Sequence, residues 1–528
     1  MMLSRALGLL IAGSCVGWLL GCGAKEAPPG SASAAGAAAG MGQVGGSGNV
    51  TGGDAGTGTG GSGVAGAGAG GSGGGLTAGS SGGGTGGSVG GGAGTPAGGN
   101  AGMLVVAGAG GGAAGAGTVA CKIEITQSVS EKIPSVGIVE WTTDLPSIES
   151  ASIEFGRDTS YGMVAPVDLA EPKYRTLLLG MKTSRTYHFR VVAVSGGKQC
   201  VSADATVDTG LAPNGLAKPT VVTNAPDKLY GGYMVTARWG MNNGGPAMIL
   251  DGDGDIVWWY PVEDDVIRAR FSYDGKRLWI RNTSEADGGG WVRRVTLDGL
   301  TEEKWDLTHS THDLAVIPDG NVGLISHAAN GCWEISEFNP TTEELKSVFN
   351  LADAHGMTKC QVNYLAYYAG DDSFWVSDYA QSTVVKVSRK GELQFVLNGT
   401  GSTISGTSWS GQHGLEILAP DHLLVFSNKG ETTGSSSIVY ELQLDTTAKA
   451  ATVLWRYDAG ISTGFGGDVQ RLDNGNTLIT YSVSGVIQEL GPDGALLQSF
   501  TYPLTGSISY MEKRKSLYGG PPPKIHGL

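Results

Sequence analysis

The feature that most restricts what this chain can become is a recurrence in its C-terminal part. From about Leu216 to Leu528 a pattern of two successive hairpins restarts near Ala247, Trp291, Trp333, Thr383, Ile438 and Val486, at intervals of roughly 40 to 55 residues. Each interval accommodates four short strands. A lone four-stranded sheet cannot bury both of its apolar faces, so six such units predict a six-bladed β-propeller in which each blade packs on the next. Within the units the local text also returns: Leu314-Ala315-Val316-Ile317-Pro318-Asp319-Gly320-Asn321, Leu415-Glu416-Ile417-Leu418-Ala419-Pro420-Asp421 and Val469-Gln470-Arg471-Leu472-Asp473-Asn474-Gly475-Asn476 are short, largely apolar runs that enter a tight turn. Asp-Gly and Asn-Gly supply the positive φ such turns require. A β-helix would repeat at much shorter intervals.

Ahead of the repeat, from about Val119 to Gly210, apolar and polar residues alternate in short runs such as Lys122-Ile123-Glu124-Ile125, Gly137-Ile138-Val139-Glu140-Trp141 and Thr186-Tyr187-His188-Phe189-Arg190-Val191-Val192-Ala193. Alternation with period two gives each strand one core face and one wet face, and the segment predicts a β-sandwich. It resembles a fibronectin type III module, with Trp141 as the inward tryptophan of an early strand and Leu179-Gly180 before Thr186-Tyr187 as the tyrosine-corner region. Modules of this kind space or bind, so no chemistry is expected of it.

The N-terminal part has a different composition. Of the 90 residues from Ser31 to Ala120, 39 are glycine, most of the others are Ala, Ser and Thr, and no Lys or Arg stands between Lys25 and Lys122. Such a stretch has too little apolar surface to offset its ordering entropy and is expected to be a disordered tether. Before it, Arg5 precedes an apolar run, Ala6 to Leu20, shorter than the about 20 residues that cross a bilayer, and this reads as a signal peptide. Leu19-Leu20-Gly21-Cys22 resembles the lipobox of bacterial lipoproteins, which implies cleavage before Cys22 and lipid on its thiol. Gly23, where aspartate is absent, points to the outer membrane, at its periplasmic face or at the cell surface. The expected division is a signal peptide over 1–21, a tether over 22–118, a sandwich over 119–210 and a propeller over 211–528.

With 35 basic and 49 acidic residues the net charge is −14, and no basic stripe is interleaved with aromatics, which argues against nucleic acid as a partner. Cys15 would leave with the signal peptide. The remaining cysteines fall into two local pairs, and in an exported chain these predict disulfides Cys121–Cys200 and Cys332–Cys360, the second closing a loop inside the third blade. No CxxC or Cys/His spacing suggests zinc, and no metal is expected.

Three segments carry a family resemblance: Thr311-His312-Asp313 followed by Pro318-Asp319-Gly320-Asn321, Gly411-Gln412-His413 followed by Leu424-Val425-Phe426-Ser427-Asn428, and Arg471-Leu472-Asp473-Asn474-Gly475-Asn476-Thr477-Leu478-Ile479. They are similar to the bacterial arylsulfotransferases, periplasmic six-bladed propellers that move sulfate between phenols without a nucleotide donor. The resemblance implies no cofactor, an aryl sulfate or phenol as small-molecule partner, and His413 as the nucleophile of a sulfohistidine intermediate. An imidazole nitrogen attacking sulfur splits one hard transfer into two easier ones. His312 would polarise the sulfuryl oxygens or exchange a proton with the phenol, and Arg471 would add positive charge.

The chain also departs from the family. The family's Trp-His-x-Asn segment, with an arginine 18 residues beyond its histidine, aligns with Lys359-Cys360-Gln361-Val362-Asn363 and with Ser377-Asp378-Tyr379, so Gln361 replaces His and Tyr379 replaces Arg. Neither brings a fixed positive charge, and losing one such contact typically costs about 10² to 10³ in rate. Two readings therefore stand: a sulfuryl transferase working through His413, or a non-catalytic surface binding or scaffold propeller. A quinone-dependent dehydrogenase is disfavoured because that architecture carries eight blades. His309-x-x-His312 lacks a third metal ligand of clear spacing. Asp251-x-Asp253-x-Asp255 has Ile256 where a calcium loop needs Gly and Val262 where it needs Glu, and is read as a β-turn. His327, His355 and His422 are read as surface or loop residues. Trp258, Trp259 and Trp291 are expected to pack between blades.

Overall fold

A computed structural model of the chain describes residues 117–240, 244–282, 290–307, 309–431, 436–503 and 507–520. The expected signal peptide, Cys22 as the expected lipid acceptor, and all but the last two residues of the expected tether lie outside the described residues.

The described structure is nearly all β. Six sheets follow one another along the repeat, and four of them are plain four-stranded meanders. In the third, Ser310–Val316, Val322–His327, Trp333–Asn339 and Glu344–Asn350 pair in sequence order, and Val362–Tyr368 through Leu393–Leu397 form the fourth in the same way. Val266–Phe271 opens the second sheet, Gln412–Ala419 the fifth and Asp468–Arg471 the sixth. The positions at which the sequence pattern restarts mark the third strand of the second to sixth sheets and the second strand of the first. The pattern thus has the right period but the wrong phase: the third strands each open on or close to a large apolar residue, whereas the first strands of the third, fifth and sixth blades open on Ser310, Gln412 and Asp468.

Each blade is buried on both sides because consecutive residues of a strand face opposite neighbours. Leu324 packs with Trp279 and Val292 of the second blade, while Ile325 packs with Leu365 and Phe374 of the fourth. A separate apolar cluster fills each of the six junctions between successive blades, the last of them joining the sixth blade to the first. Trp258 and Trp291 lie in the cluster between the first and second blades, and Trp259 in the one between the sixth and first. The turns repeat as well. The N–H of Gly320 donates to the carbonyl of Ile317, and that of Gly475 to Leu472, at 3.0 and 2.9 Å. With φ of 91° and 88° both positions favour glycine.

The ring is closed at two seams. Thr220–Thr223, from the start of the repeat region, adds an outer strand to the sixth sheet against Leu496–Thr501. Ser507–Ile508 and Glu512–Arg514, from its end, pair with Tyr233–Trp239 of the first sheet, on the edge away from Ala247–Leu250.

Residues 119–210 form two sheets. One holds Ile123–Val129, Gly137–Thr143 and Thr176–Leu178; the other is built on Ser150–Gly156 and Thr186–Ser195. Trp141 is 1% exposed in their shared core, and the N–H of Lys182 donates to the Tyr187 hydroxyl at 2.8 Å. This sandwich is fastened to the propeller. Ile133 and Val136 enter the cluster of the first and second blades, and the Ser135 hydroxyl donates to the Val257 carbonyl at 2.7 Å. The turn Asp251–Asp255 presents three carboxylates to the Lys182 ammonium at 3.2, 2.7 and 2.8 Å, so a side chain of the sandwich sits where the acidic spacing suggested an ion.

Both predicted disulfides are present. Cys332–Cys360 differs from expectation in what it joins. Cys332 precedes the third strand of the third blade, whereas Cys360 precedes the first strand of the fourth, so the bond staples one blade to the next.

Candidate functional site

The first strands of the third, fourth and fifth blades share an irregular start. Their register shifts between Thr311 and Leu314, between Val362 and Tyr364, and between Gln412 and Leu415. A bulge of this sort re-aims a side chain that regular pairing would bury between sheets. Two positions ahead of Leu314, Leu365 and Leu415 stand His312, Asn363 and His413, one from each of three successive blades. His312 has φ of 52°, a left-handed backbone costing roughly 1 to 2 kcal/mol for a residue with a Cβ. Asn363 is held by its side-chain N–H, which donates to the Gln412 carbonyl at 3.1 Å.

His413 is buried and fully committed. Its Nε2 accepts the N–H of Gly466 at 3.0 Å, so that nitrogen carries the lone pair. Its Nδ1 therefore carries the proton and donates to Asn428 Oδ1. The Asn428 amide nitrogen donates to the carbonyls of Thr463 and Gly466 at 2.8 and 2.6 Å, which fixes the orientation of the amide and hence the tautomer of the histidine. Burial lowers the His413 pKa to about 4, and the Lys429 charge works in the same direction against the Asn428 hydrogen bond. The imidazole is neutral at physiological pH.

His312 is neutral too, its pKa lowered to about 3 chiefly by burial, with the Arg281 charge acting in the same direction. Its Nδ1 bonds the Thr311 hydroxyl at 2.9 Å and its ring lies 4.9 Å from that of Trp333. Arg281, on the second strand of the second blade, is fully buried and donates to the carbonyls of Trp291 and Ser310. Among the described residues it has no carboxylate partner within 4 Å, and burial lowers its pKa to about 9.

Tyr379 meets His413 edge-on at 5.2 Å between ring centroids, so the position where the family carries arginine does adjoin the candidate nucleophile. Gln361 is close in a different sense. Its N–H donates to Asp378 Oδ1 at 3.1 Å and its carbonyl accepts from the Tyr379 N–H at 2.9 Å, which ties the two substituted positions into one turn. Asp378 is the centre of that turn. It also accepts from the N–H groups of Ala380 and Gln381 and bonds His355 Nε2 at 3.2 Å. The side chain of His355, read as a surface or loop residue, is wholly buried at the end of the short helix Ala352–His355. His422 is half-buried and bonded to Glu441, and His327 ends the second strand of the third blade with its ring 4.9 Å from Trp333. His309 is exposed on the turn before that blade.

Arg471 is not brought to this group. It lies at the far end of its strand, where its guanidinium pairs with Glu441 and its N–H with Glu416. A glutamate already neutralises its charge, and the matching sequence around it is turn text that many blades need. Asp313, next to His312, faces inward instead. It grips Arg268 with both oxygens, one pair at 2.8 Å, and accepts the Leu365 N–H at 3.0 Å. Arg268 stacks on Tyr510 at 3.9 Å and reaches Asp468 at 3.7 Å, so a buried polar layer from the second, third and sixth blades and the closing segment lies one residue further along the strands. Sequence reasoning quoted Asn428 within the family motif without giving it a role, and it missed Gly466 and Arg281, whose relation to the histidines exists only through long-range packing.

Residues 330–502 match the arylsulfotransferase (ASST) family. That span contains His413, Gln361, Tyr379 and Arg471 but begins after His312. No curated protein matches the sequence. Among solved structures the chain is similar to a protein of unknown function from Bacteroides caccae, at 18% identity over 53% of this chain and 98% of that one with a TM-score of 0.38. It is similar also to TolB from Acinetobacter baumannii, at 12% identity over 63% and 80% of the two chains with a TM-score of 0.40. A third is a catalytically inactive variant of virginiamycin B lyase from Staphylococcus aureus with quinupristin, at 12% identity over 54% and 89% with a TM-score of 0.34.

Proposed function

We propose that this chain is an exported, lipid-anchored protein whose propeller transfers a sulfuryl group from an aryl sulfate to a phenol through His413. The observation that carries the reading is the locked, neutral His413: Nδ1–H held by Asn428 and a lone pair on Nε2, within the span that matches the arylsulfotransferase family. In the first half-reaction the Nε2 lone pair forms a bond to sulfur. The bond from sulfur to the aryl oxygen breaks, its electron pair leaves on the phenolate, and a proton then completes the phenol. The Gly466 N–H gives up Nε2 and the sulfohistidine cation keeps its Nδ1–H on Asn428. In the second half-reaction the oxygen of an acceptor phenol, losing its proton, bonds to sulfur, and the pair of the nitrogen–sulfur bond returns to Nε2. His312, neutral and near, supports the sulfuryl oxygens or relays the phenol proton. Cys22 would bear the lipid, the tether would hold the folded part off the outer membrane, and the fibronectin type III-like sandwich would act as a spacer.

A second reading, a binding or scaffold propeller without turnover, is favoured by one set of observations. Gln361 and Tyr379 stand in place of His and Arg, and Arg471 is already paired with Glu441. The deciding experiment mixes the purified chain rapidly with 4-nitrophenyl sulfate and follows phenol release and peptide mass. Transfer requires a burst of phenol and about 80 Da, one SO₃ group, on the His413 peptide. Binding of the ester without burst or adduct selects the scaffold reading.

A further inference from the structure

Two neutral histidines would be a poor seat for an anionic sulfate ester unless a cation stood nearby, and the arginine expected for that role is replaced by Tyr379. Lys429 follows Asn428, the residue that orients His413. Its ammonium lies 4.8 Å from the centroid of the Tyr379 ring, the same ring that meets His413 at 5.2 Å. Its backbone is fixed by the Lys429 N–H, which donates to the Ser410 carbonyl at 3.2 Å. The side chain runs beside Gly411, where an added Cβ would come within 3.4 Å of Lys429 Cδ and 2.8 Å of the Tyr379 ring; the glycine leaves lysine and tyrosine their place. The acid nearest in sequence, Glu431, is engaged with Arg456, and no described carboxylate lies within 4 Å of the Lys429 ammonium. Asp313 and Asp378, the carboxylates beside the histidines, are satisfied by Arg268 and by His355 with three N–H groups. A half-buried ammonium held on an aromatic face and lacking a counter-ion is the form a protein gives to a charge awaiting an anion.

We propose that Lys429 is the sulfate-binding cation of this site, approaching from the fifth blade and replacing in function the arginine that Tyr379 displaced. The inference rests on the reading that the His413 site takes sulfate esters. Tyr379 thereby changes from a loss into a platform: its ring carries the ammonium on its face and borders His413 with its edge. Arg281 adds a second, fixed positive charge on the His312 side. The ligand class is an aryl sulfate monoanion, with the sulfate beside Lys429 and the aryl group outward.

The test is calorimetric titration of the full-length chain with 4-nitrophenyl sulfate and with 4-nitrophenol, in a His413→Gln background so that no ester is consumed. Lys429→Met should weaken ester binding at least about tenfold and leave the phenol unchanged, and Lys429→Arg should restore the ester to within about threefold of the lysine form. In the His413 chain, Lys429→Met should slow adduct formation with the same rescue. Equal ester affinity in the lysine and methionine forms overturns the role of Lys429 whether or not His413 forms an adduct. Tight, lysine-dependent binding without an adduct keeps Lys429 and removes the transfer chemistry. No ester binding in the lysine form overturns both.

Discussion

The side-chain oxygen of Asn428 holds the Nδ1–H of His413, while two backbone carbonyls hold the Asn428 amide nitrogen. One carboxamide thus decides which imidazole nitrogen is available, and it does so without a carboxylate that would draw the ring toward its protonated form.

Replacing that carboxamide tests it directly. Asn428→Ala should slow adduct formation on His413 by about 10- to 100-fold, the scale on which metal-bound imidazoles suffer when an outer hydrogen-bond partner is lost. Asn428→Asp should raise the His413 pKa and confine whatever rate remains to higher pH. Stopped-flow phenol release across pH separates the two, and an unchanged rate in Asn428→Ala would show that the amide orients nothing of consequence.

The neutral state of His413 gives a pH profile. With its pKa lowered to about 4, adduct formation should be flat from about pH 5 to 8 and fall to half near pH 4. An inflection near pH 6.5, where an exposed histidine titrates, would mean that the lone pair is not held as described.

Stability should follow the same protons. In the unfolded chain both histidines protonate near pH 6.5, but in the folded chain only near pH 4 and pH 3. Between those limits the unfolded state binds more protons, so stability falls with acid by about 1.4 kcal/mol per pH unit for each histidine. Asp468 opposes one of them. Burial raises its pKa to about 6, so from there down to the ordinary carboxylate range the folded state holds the extra proton and acid favours it. Denaturant titrations at pH 6.5 and 5 should show a loss that His312→Gln reduces and Asp468→Asn enlarges.

Gln361→His with Tyr379→Arg restores the family's pattern. If the natural site is slow only for want of those groups, the double variant should gain about 10² in transfer rate. If Lys429 already supplies the charge, an arginine at 379 crowds it and the gain stays below about tenfold. Initial rates with 4-nitrophenyl sulfate and a phenol distinguish the two.

The staple between blades should matter for stability more than for chemistry. Cys332–Cys360 closes a loop of 28 residues, worth about 3.5 kcal/mol in the chain-entropy estimate. Cys332→Ser with Cys360→Ser should lower the melting temperature by several degrees. Hydrogen exchange should quicken around Ala352–His355 and Gln361 rather than throughout the propeller. Peptide masses from the non-reduced chain should show Cys121 with Cys200 and Cys332 with Cys360.

Much of the architecture was legible because it is local. Asp319-Gly320-Asn321 and Asn474-Gly475-Asn476 announce their turns, alternation announces the sandwich strands, and the cysteines sort by segment, Cys121 and Cys200 bracketing the sandwich and Cys332 and Cys360 lying 28 positions apart in the repeat. His413 and His312 could be chosen because the motifs around them are contiguous. What stayed hidden depends on parts of the chain that meet only in three dimensions. Gly466 reaches His413 across 53 positions and Arg281 reaches Ser310 across 29, with no local pattern to announce either. Arg471 was misplaced for the converse reason: its sequence context is repetitive, and only the distance along the strand reveals that it stands beside Glu441. Lys429 directly follows Asn428 in the sequence, yet nothing in that neighbourhood marks its charge as belonging to the site until the fold lays it on the ring of Tyr379.

The two seams have a consequence for how the molecule comes into being. Thr223 pairs with Gln498, and Val235 with Glu512, so the first and last portions of the repeat region are each other's neighbours. During synthesis the earliest strands must wait, with exposed edges, for partners made almost three hundred residues later. Contacts of such separation are slow to form, because the whole intervening loop must be closed first. A chain cut ahead of Ser507 would possess every candidate catalytic residue and could still pair Thr220–Thr223 with Leu496–Thr501, yet the edge of Tyr233–Trp239 in the first sheet would stay unpaired, so the propeller would be held at one seam instead of two.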